Sequence, residues 1–455
     1  MCAHDRCVPP FRARADPLFP LRAGVPVARF PYTPRTLSLF HNRDYRLLFL
    51  GFITIQGGLT FQLVTPIFWV QEHADDDVQV LLVGVLSAVR GVAMVGFGLY
   101  GGSLADRFDR RRLLLYSQSL AVLVGVGTVA LVATAGGGAG AMAGLFVLVF
   151  FAAGLWAIDG PTRQSMVPDI VGADDAPRGV ALAASGTWIV TTVTILAVGF
   201  VIDERGFTGA FAFVAVLQIV ALVTLVPMRY RRSDSLPTKP TQRAGFRAGV
   251  RFTWRHPVLR SLIGVSVLMT ALAMPAISGL GPTWVTTIVG VSFSEFGLIA
   301  SVWGLGALVA SLVLTRYGRI QSMGVVFAGS ALLFATGFLI FGLNDTVVFA
   351  VVGNAAVGSG LIATQITGVA LIARIAPPEL RGRVTSLLLL DRALAQLLAL
   401  PIAAIAQGVG LTTLFPILGA ICVATVVVLL LAARPAVWRR PLAEEPSDGH
   451  RAEIG

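Results

Sequence analysis

The sequence predicts an all-α membrane protein: twelve transmembrane helices in two pseudo-symmetric six-helix bundles. Three observations carry that expectation. The 455 residues are 55% apolar and only 13% charged, with a mean hydropathy of +0.80, which is too little charge to cover a water-soluble surface of this size. Apolar runs of about 20 residues, enough to cross a hydrocarbon core of about 30 Å at about 1.5 Å per residue, recur along the chain. The basic residues fall on alternate connecting segments.

Taken in order, residues 1–40 hold Arg6, Arg12, Arg14, Arg22, Arg29 and Arg35 among several prolines, with no apolar stretch of signal-peptide length. They are expected to form a disordered cytoplasmic tail. Spans are predicted at 47–70, 79–101, 113–134, 141–159, 179–202 and 208–228, then at 259–280, 293–315, 323–343, 346–373, 385–407 and 412–433. Residues 41–228 would make the first bundle and 259–433 the second. A cytoplasmic linker at 229–258 would join them, and 434–455 would be a second cytoplasmic tail.

One set of connections carries Arg107, Arg110, Arg111 and Arg112, then Arg163 and Arg178, then Arg316 and Arg319, then Arg374, Arg381 and Arg383. The linker adds more, including Lys239, the chain's single lysine. The alternate set holds Glu72, His73, Asp75, Asp76 and Asp77, with Arg205 its only basic residue. Lys/Arg-rich loops face the cytoplasm, so both termini are expected inside and the number of spans even. The net charge of +11 is therefore spread over loops that meet anionic headgroups, and nucleic acid is not an expected partner.

The two halves echo each other weakly. Asp106-Arg107-Phe108-Asp109-Arg110 aligns with Thr315-Arg316-Tyr317-Gly318-Arg319, and Arg178-Gly179-Val180 with Arg381-Gly382-Arg383-Val384, at offsets of about 209 and 203 residues. Related six-helix halves can rock against each other around a site at the membrane midplane. Catalysis and cofactors are not expected: there is no Walker loop, no His-Glu-x-x-His and no nucleophile elbow. Cys2, His4 and Cys7 are too few ligands for a metal site.

The sharpest motif is Gly102-Ser103-Leu104-Ala105-Asp106-Arg107-Phe108-Asp109-Arg110-Arg111-Arg112. Its glycines permit close turns, and Asp106 can cap the positive end of a neighbouring helix. This run resembles the signature loop of the major facilitator superfamily between helices 2 and 3. Phe40-His41-Asn42-Arg43-Asp44-Tyr45-Arg46-Leu47-Leu48, Gly160-Pro161-Thr162-Arg163-Gln164 and Ala376-Pro377-Pro378-Glu379-Leu380-Arg381-Gly382-Arg383-Val384 resemble the branch that holds the enterobactin exporter and many drug-efflux proteins. The likeness covers about residues 40–433.

The resemblance implies a monomeric transporter of the bacterial cytoplasmic membrane, working by alternating access. Export of a hydrophobic or amphiphilic small molecule, with protons as coupling ion, is what the branch implies. A metabolite importer of the same fold and a non-transporting sensor or scaffold are the alternatives. There are departures: Thr315 stands where the first half has Asp106, residues 141–159 contain no arginine, and the Gly-Pro pair of many antiporters is missing from Thr191–Gly199.

On this resemblance the gate is expected to comprise Gly102, Asp106, Arg107, Arg110, Asp159, Arg163, Arg381 and Arg383. Asp106 would meet the start of span 11, and Arg107 or Arg110 would pair with Asp159, contacts made in the outward-open state and broken in the inward-open state. Two charges fall inside spans, Arg90 and Asp391, and intramembrane charge is costly enough to mark function. They are expected either to pair across the contact between halves, making Asp391 the proton carrier, or to be satisfied separately by backbone carbonyls and the inner surface. Gln56, Gln62, Trp156, Asn354 and Gln365, joined by Trp188, are expected to face a wide cavity or to pack between helices.

Overall fold

The structure is a computed structural model that describes residues 38–172, 174–230, 250–316, 323–377, 380–381, 384–385 and 391–432, with the side chains of 99–107, 315 and 391–393 outside that description. The expected tails, save residues 38–40, and most of the expected linker also lie outside it. The described residues contain helices and no strand, and ten of those helices are long and apolar enough to cross a membrane.

A short 3₁₀ turn, Ser38–His41, leads into α1 (Arg43–His73). The Asn42 side-chain oxygen accepts from the N–H groups of Asp44 and Tyr45 at 3.0 and 3.3 Å, which are donors the first turn leaves without partners. The Asn42 amide donates to the Ile170 carbonyl at 3.1 Å, and the fully buried Tyr45 hydroxyl donates to that of Gly179 at 2.8 Å. These bonds tie the start of α1 to α4 (Ala139–Val171) and to α5 (Ala176–Leu225).

The signature run is not a loop throughout. Helix α2 (Asp76–Arg107) continues through Gly102 and Asp106, and α3 (Arg110–Thr134) starts three residues past its end. Asp109 caps α3 by accepting from the Arg112 N–H at 2.9 Å. Arg111 donates to the carbonyls of Leu225 and Val226 at 3.4 and 2.7 Å, placing a cation at the negative end of α5.

Helix α4 runs past the expected end at 159 to Val171, with Pro161 and Pro168 inside it. Prolines are tolerated in membrane helices where neighbours satisfy the freed backbone, so they were poor stop signals here. Helix α5 is a 50-residue helical run, about 75 Å at about 1.5 Å per residue and far longer than a bilayer core. It breaks at Gly206, where φ is 66° and ψ is −177°, a conformation that only glycine adopts at little cost. The two spans expected at 179–202 and 208–228 fall on either side of that break.

Helix α6 (Pro257–Met274) continues through π-helical turns at Pro275–Leu280 and Trp284–Ile288, and the span as a whole is Pro257–Ile288. Pro275 and Pro282 lack the N–H that a regular ladder needs, and wider turns absorb the defect. Then follow α7 (Phe293–Arg316), α8 (Met323–Leu343), α9 (Val347–Ile375), α10 (Asp391–Val409) and α11 (Leu411–Ala432). The apolar stretch of α10 is Leu394–Val409, shorter than the other ten, because part of the expected 385–407 span lies outside the described residues.

Large apolar side chains such as Leu123, Val348 and Leu431 stand more than two-thirds exposed. In water that would be an aggregation hazard; in hydrocarbon it is the ordinary outer surface. Helix α1 packs on α5, α2 on α4, and α3 on both α4 and α5. Later in the chain α6 packs on α11, α7 on α9, and α8 on α9 and α11. The two groups meet where α2 packs on α10 and α5 on α7.

Candidate transport site

The α2–α10 and α5–α7 seams are built on glycine. A methyl group at Gly84 would collide with Ala403, and one at Gly199 with the Phe293 carbonyl. Near the arginine-poor end the seams gain polar bonds: the Ser294 N–H donates to Asp203 at 2.9 Å, the Leu81 N–H to Gln407 at 3.2 Å, and Thr286 to Gln71 at 3.4 Å. Phe293 lies 4.6 Å from Phe68 and 5.9 Å from Phe207, between ring centroids. Every described hydrogen bond that joins residues 43–230 to residues 257–432 lies toward this end.

Beyond the seams, toward mid-depth, a cavity of about 290 Å³ opens between the two groups of helices. Gln56 and Gln62 enter from α1, Arg90 from α2, Trp156 from α4, Trp188 from α5 and Gln365 from α9. Five of the six expected substrate-facing residues therefore share one wall. Asn354 does not: its amide donates to the Ile299 carbonyl at 3.0 Å, buried between α9 and α7. That is the packing role weighed for it from the sequence.

Sequence reasoning passed over Trp303, whose ring centroid lies 5.6 Å from that of Trp188, and Gln396 on α10. They lie on the eighth and eleventh expected spans, whereas the residues expected to face the cavity lie on the first, fourth, fifth and tenth. Gln56 donates to Thr191 at 3.2 Å, which orients the amide across the α1–α5 contact.

Arg90 is 4% exposed, and its Nη2 donates to the Gln62 carbonyl at 2.7 Å. Pro66 stands four residues after Gln62, so no helical N–H reaches that carbonyl. Arg90 thus supplies the donor that the proline removed. The Asp391 half of the expected pair concerns a side chain outside the described residues.

In this conformation Arg110 does not pair with Asp159, a contact expected of the outward-open state. It bonds Asp169 at 2.7 Å and the Ser165 carbonyl at 3.1 Å, because α4 extends about 18 Å beyond Asp159 and its last turn carries Asp169. Asp159 instead binds Arg163, one turn on, at 2.6 Å with both side chains buried. Span 4 was expected to lack arginine, but the longer α4 contains one. Arg381 donates to the Ala376 carbonyl at 3.0 Å, a local bond. The expected contacts of Asp106, Arg107 and Arg383 concern side chains outside the described residues, and Gly102 lies in the last turns of α2.

Asp169 also accepts from the Tyr230 hydroxyl at 2.5 Å. Burial, reinforced by that bond and the nearby carboxylate charge, pushes the phenol up to about 12, so it stays protonated and donating. Asp169 thus gathers α3, α4 and the segment after α5 at the arginine-rich end. Asp169→Asn is expected to cost about 1–3 kcal/mol and to lower the Tm of the detergent-solubilised protein by several degrees in a thermal melt.

Long apolar helices around a polar and aromatic cavity, closed at one end by contacts between two helix groups, define a membrane transporter. The chain belongs to the Major Facilitator Superfamily, whose family model matches residues 47–400. It is similar to an enterobactin exporter, EntS, of Shigella boydii serotype 4 (strain Sb227), 21% identical over 78% of this chain and 80% of that protein. It is also similar to a staphyloferrin A transporter of Staphylococcus aureus (strain NCTC 8325 / PS 47), 21% identical over 84% of this chain and 92% of that one. Among solved structures it shares the fold of a POT family transporter in complex with 5-aminolevulinic acid, with a TM-score of 0.69 at 15% identity, covering 87% of this chain and 97% of that one.

Proposed function

We propose that the chain is a secondary active transporter that exports an amphiphilic organic compound across the bacterial cytoplasmic membrane by alternating access, as a monomer with both termini inside. The observation that carries this reading is the cavity at mid-depth, walled by both helix groups and closed at the arginine-poor end. Under the positive-inside rule that end is outside, so the conformation is the inward-facing one.

Twelve crossings follow from counting α5 twice, once on each side of Gly206, and α10 once. The packing order of the first group then recurs six crossings later in the second, which supports two related bundles. Export is favoured by the likeness to an enterobactin exporter, and protons are the proposed coupling ion. Asp391, the first residue of α10, remains the candidate proton carrier.

The test is uptake into inverted membrane vesicles, energised by respiration, of fluorescent aromatic amphiphiles that are anionic, neutral or cationic. Accumulation above that of vesicles lacking the protein, abolished by a protonophore, is the expected result. No accumulation of any probe would overturn transport, and accumulation indifferent to the protonophore would overturn proton coupling. Trp188→Ala should weaken the apparent affinity for the best probe about three- to tenfold, the worth of one aromatic contact.

A further inference from the structure

Resting on the transport reading above, we propose that the cavity selects an aromatic organic anion, with the Arg90 guanidinium as its anion-binding group. The argument begins with a charge that the described wall does not neutralise. Arg90 is buried and lines the cavity. Its described hydrogen bond goes to the Gln62 carbonyl. A carbonyl is a dipole: it occupies one of five N–H donors and leaves the net charge in place. Among the described residues no ion pair includes Arg90, and none of the described lining residues is Asp or Glu.

A cation held in a low-dielectric wall favours whatever brings a compensating negative charge. The guanidinium fork suits a carboxylate or sulfonate, which it can bind through two parallel N–H bonds. A cationic ligand meets like-charge repulsion at the same place, and a neutral one leaves the charge uncompensated.

The rest of the wall argues for an aromatic body on that anion. Trp156, Trp188 and Trp303 contribute ring surface, and the last two are tilted by 46° to each other rather than stacked closed. Tilted indoles leave faces against which a flat ring can lie. Gln56 and Gln365 add amide groups that can orient polar substituents without adding charge.

The experiment is equilibrium dialysis of the full-length protein in neutral detergent against three matched probes: 2-naphthoate, 2-naphthamide and (2-naphthylmethyl)trimethylammonium. The expected order is naphthoate at least tenfold tighter than the amide, with the cation weakest. Arg90→Gln should bring naphthoate down to the level of the amide, and a cooperative thermal melt shows that the variant is folded. Arg90→Lys should retain part of the preference, and Trp303→Leu should weaken all three probes without reordering them.

Equal binding of naphthoate and amide by the parent protein overturns the proposal even where Arg90→Gln does not fold. So does a naphthoate preference that survives Arg90→Gln. A preference absent from the parent but created by Asp391→Asn would overturn it in favour of an Arg90–Asp391 pair. Failure of all three probes to bind would tell against the cavity as a substrate site, and thus against the transport reading itself.

Discussion

Asp159→Ala is expected to destabilise the protein by about 3–5 kcal/mol, the cost of leaving a buried charge without its partner. Arg163 is 1% exposed. Its Nε donates to Asp159 Oδ1 at 2.6 Å, and Nη1 and Nη2 have no other described partner. The guanidinium lies hard against α1, where a methyl group at Gly51 would collide with Nη1. It is therefore wedged between α1 and α4 and almost wholly removed from solvent.

Removing Arg163 as well should restore most of the loss, since a well-packed apolar substitute for a buried pair is often neutral or better. The check is a thermal melt of Asp159→Ala, Arg163→Met and the double variant in detergent, read as a double-mutant cycle. A single variant within 1 kcal/mol of the parent protein, or losses that simply add, would show that the pair is not the buried contact described.

Gly199→Leu is expected to reduce transport by at least tenfold while leaving the protein in the membrane. The α5–α7 seam brings the Gly199 backbone against the Phe293 carbonyl, and Gly297 against that of Leu196. Backbone cannot move aside as a side-chain tip can, so the leucine acts as a wedge in the closed state. Overpacking of this kind costs about 1–3 kcal/mol. A cost of that size falling on one of two states shifts their ratio about 5- to 150-fold.

Disulfide formation between cysteines at Gln71 and Thr286, whose side chains meet at the closed end, reports the population directly. The background would replace Cys2, Cys7 and Cys422 by alanine. The cross-link should form in the parent and be lost with Gly199→Leu. It should persist in Gly264→Ala, since a methyl group there meets nothing within 4 Å. Normal transport together with a retained cross-link in Gly199→Leu would falsify the seam as a gate.

Much of this protein was legible as sequence because hydrocarbon is a simple solvent. A lipid-facing helix must be long, apolar and internally bonded, so hydropathy alone located the apolar stretches that the described helices contain. The arginine pattern then sorted the connections into two faces. Where local signals misled, other helices supplied what the chain alone lacked. The fourth span was expected to end at 159, yet α4 runs on to Val171. The charged Gly102–Arg112 run read as a loop, yet α2 is helical through Arg107.

The pairing of charges needed the tertiary structure. Asp159, Arg163, Asp169 and Arg110 are all visible in the chain, but which carboxylate meets which guanidinium depends on how far α4 extends and how α3 lies along it. Five cavity residues were foreseen because helix identity and polarity sufficed to choose them. Trp303 and Gln396 were not, because the facing of α7 and α10 is decided by the glycine seams that bring them against α5 and α2. The sequence by itself determined that the chain crosses a membrane, how its faces are charged and to which family it is akin. Only tertiary packing decided what sits in the cavity, because in lipid neither face of a helix is sorted by water and close backbone contact chooses between them.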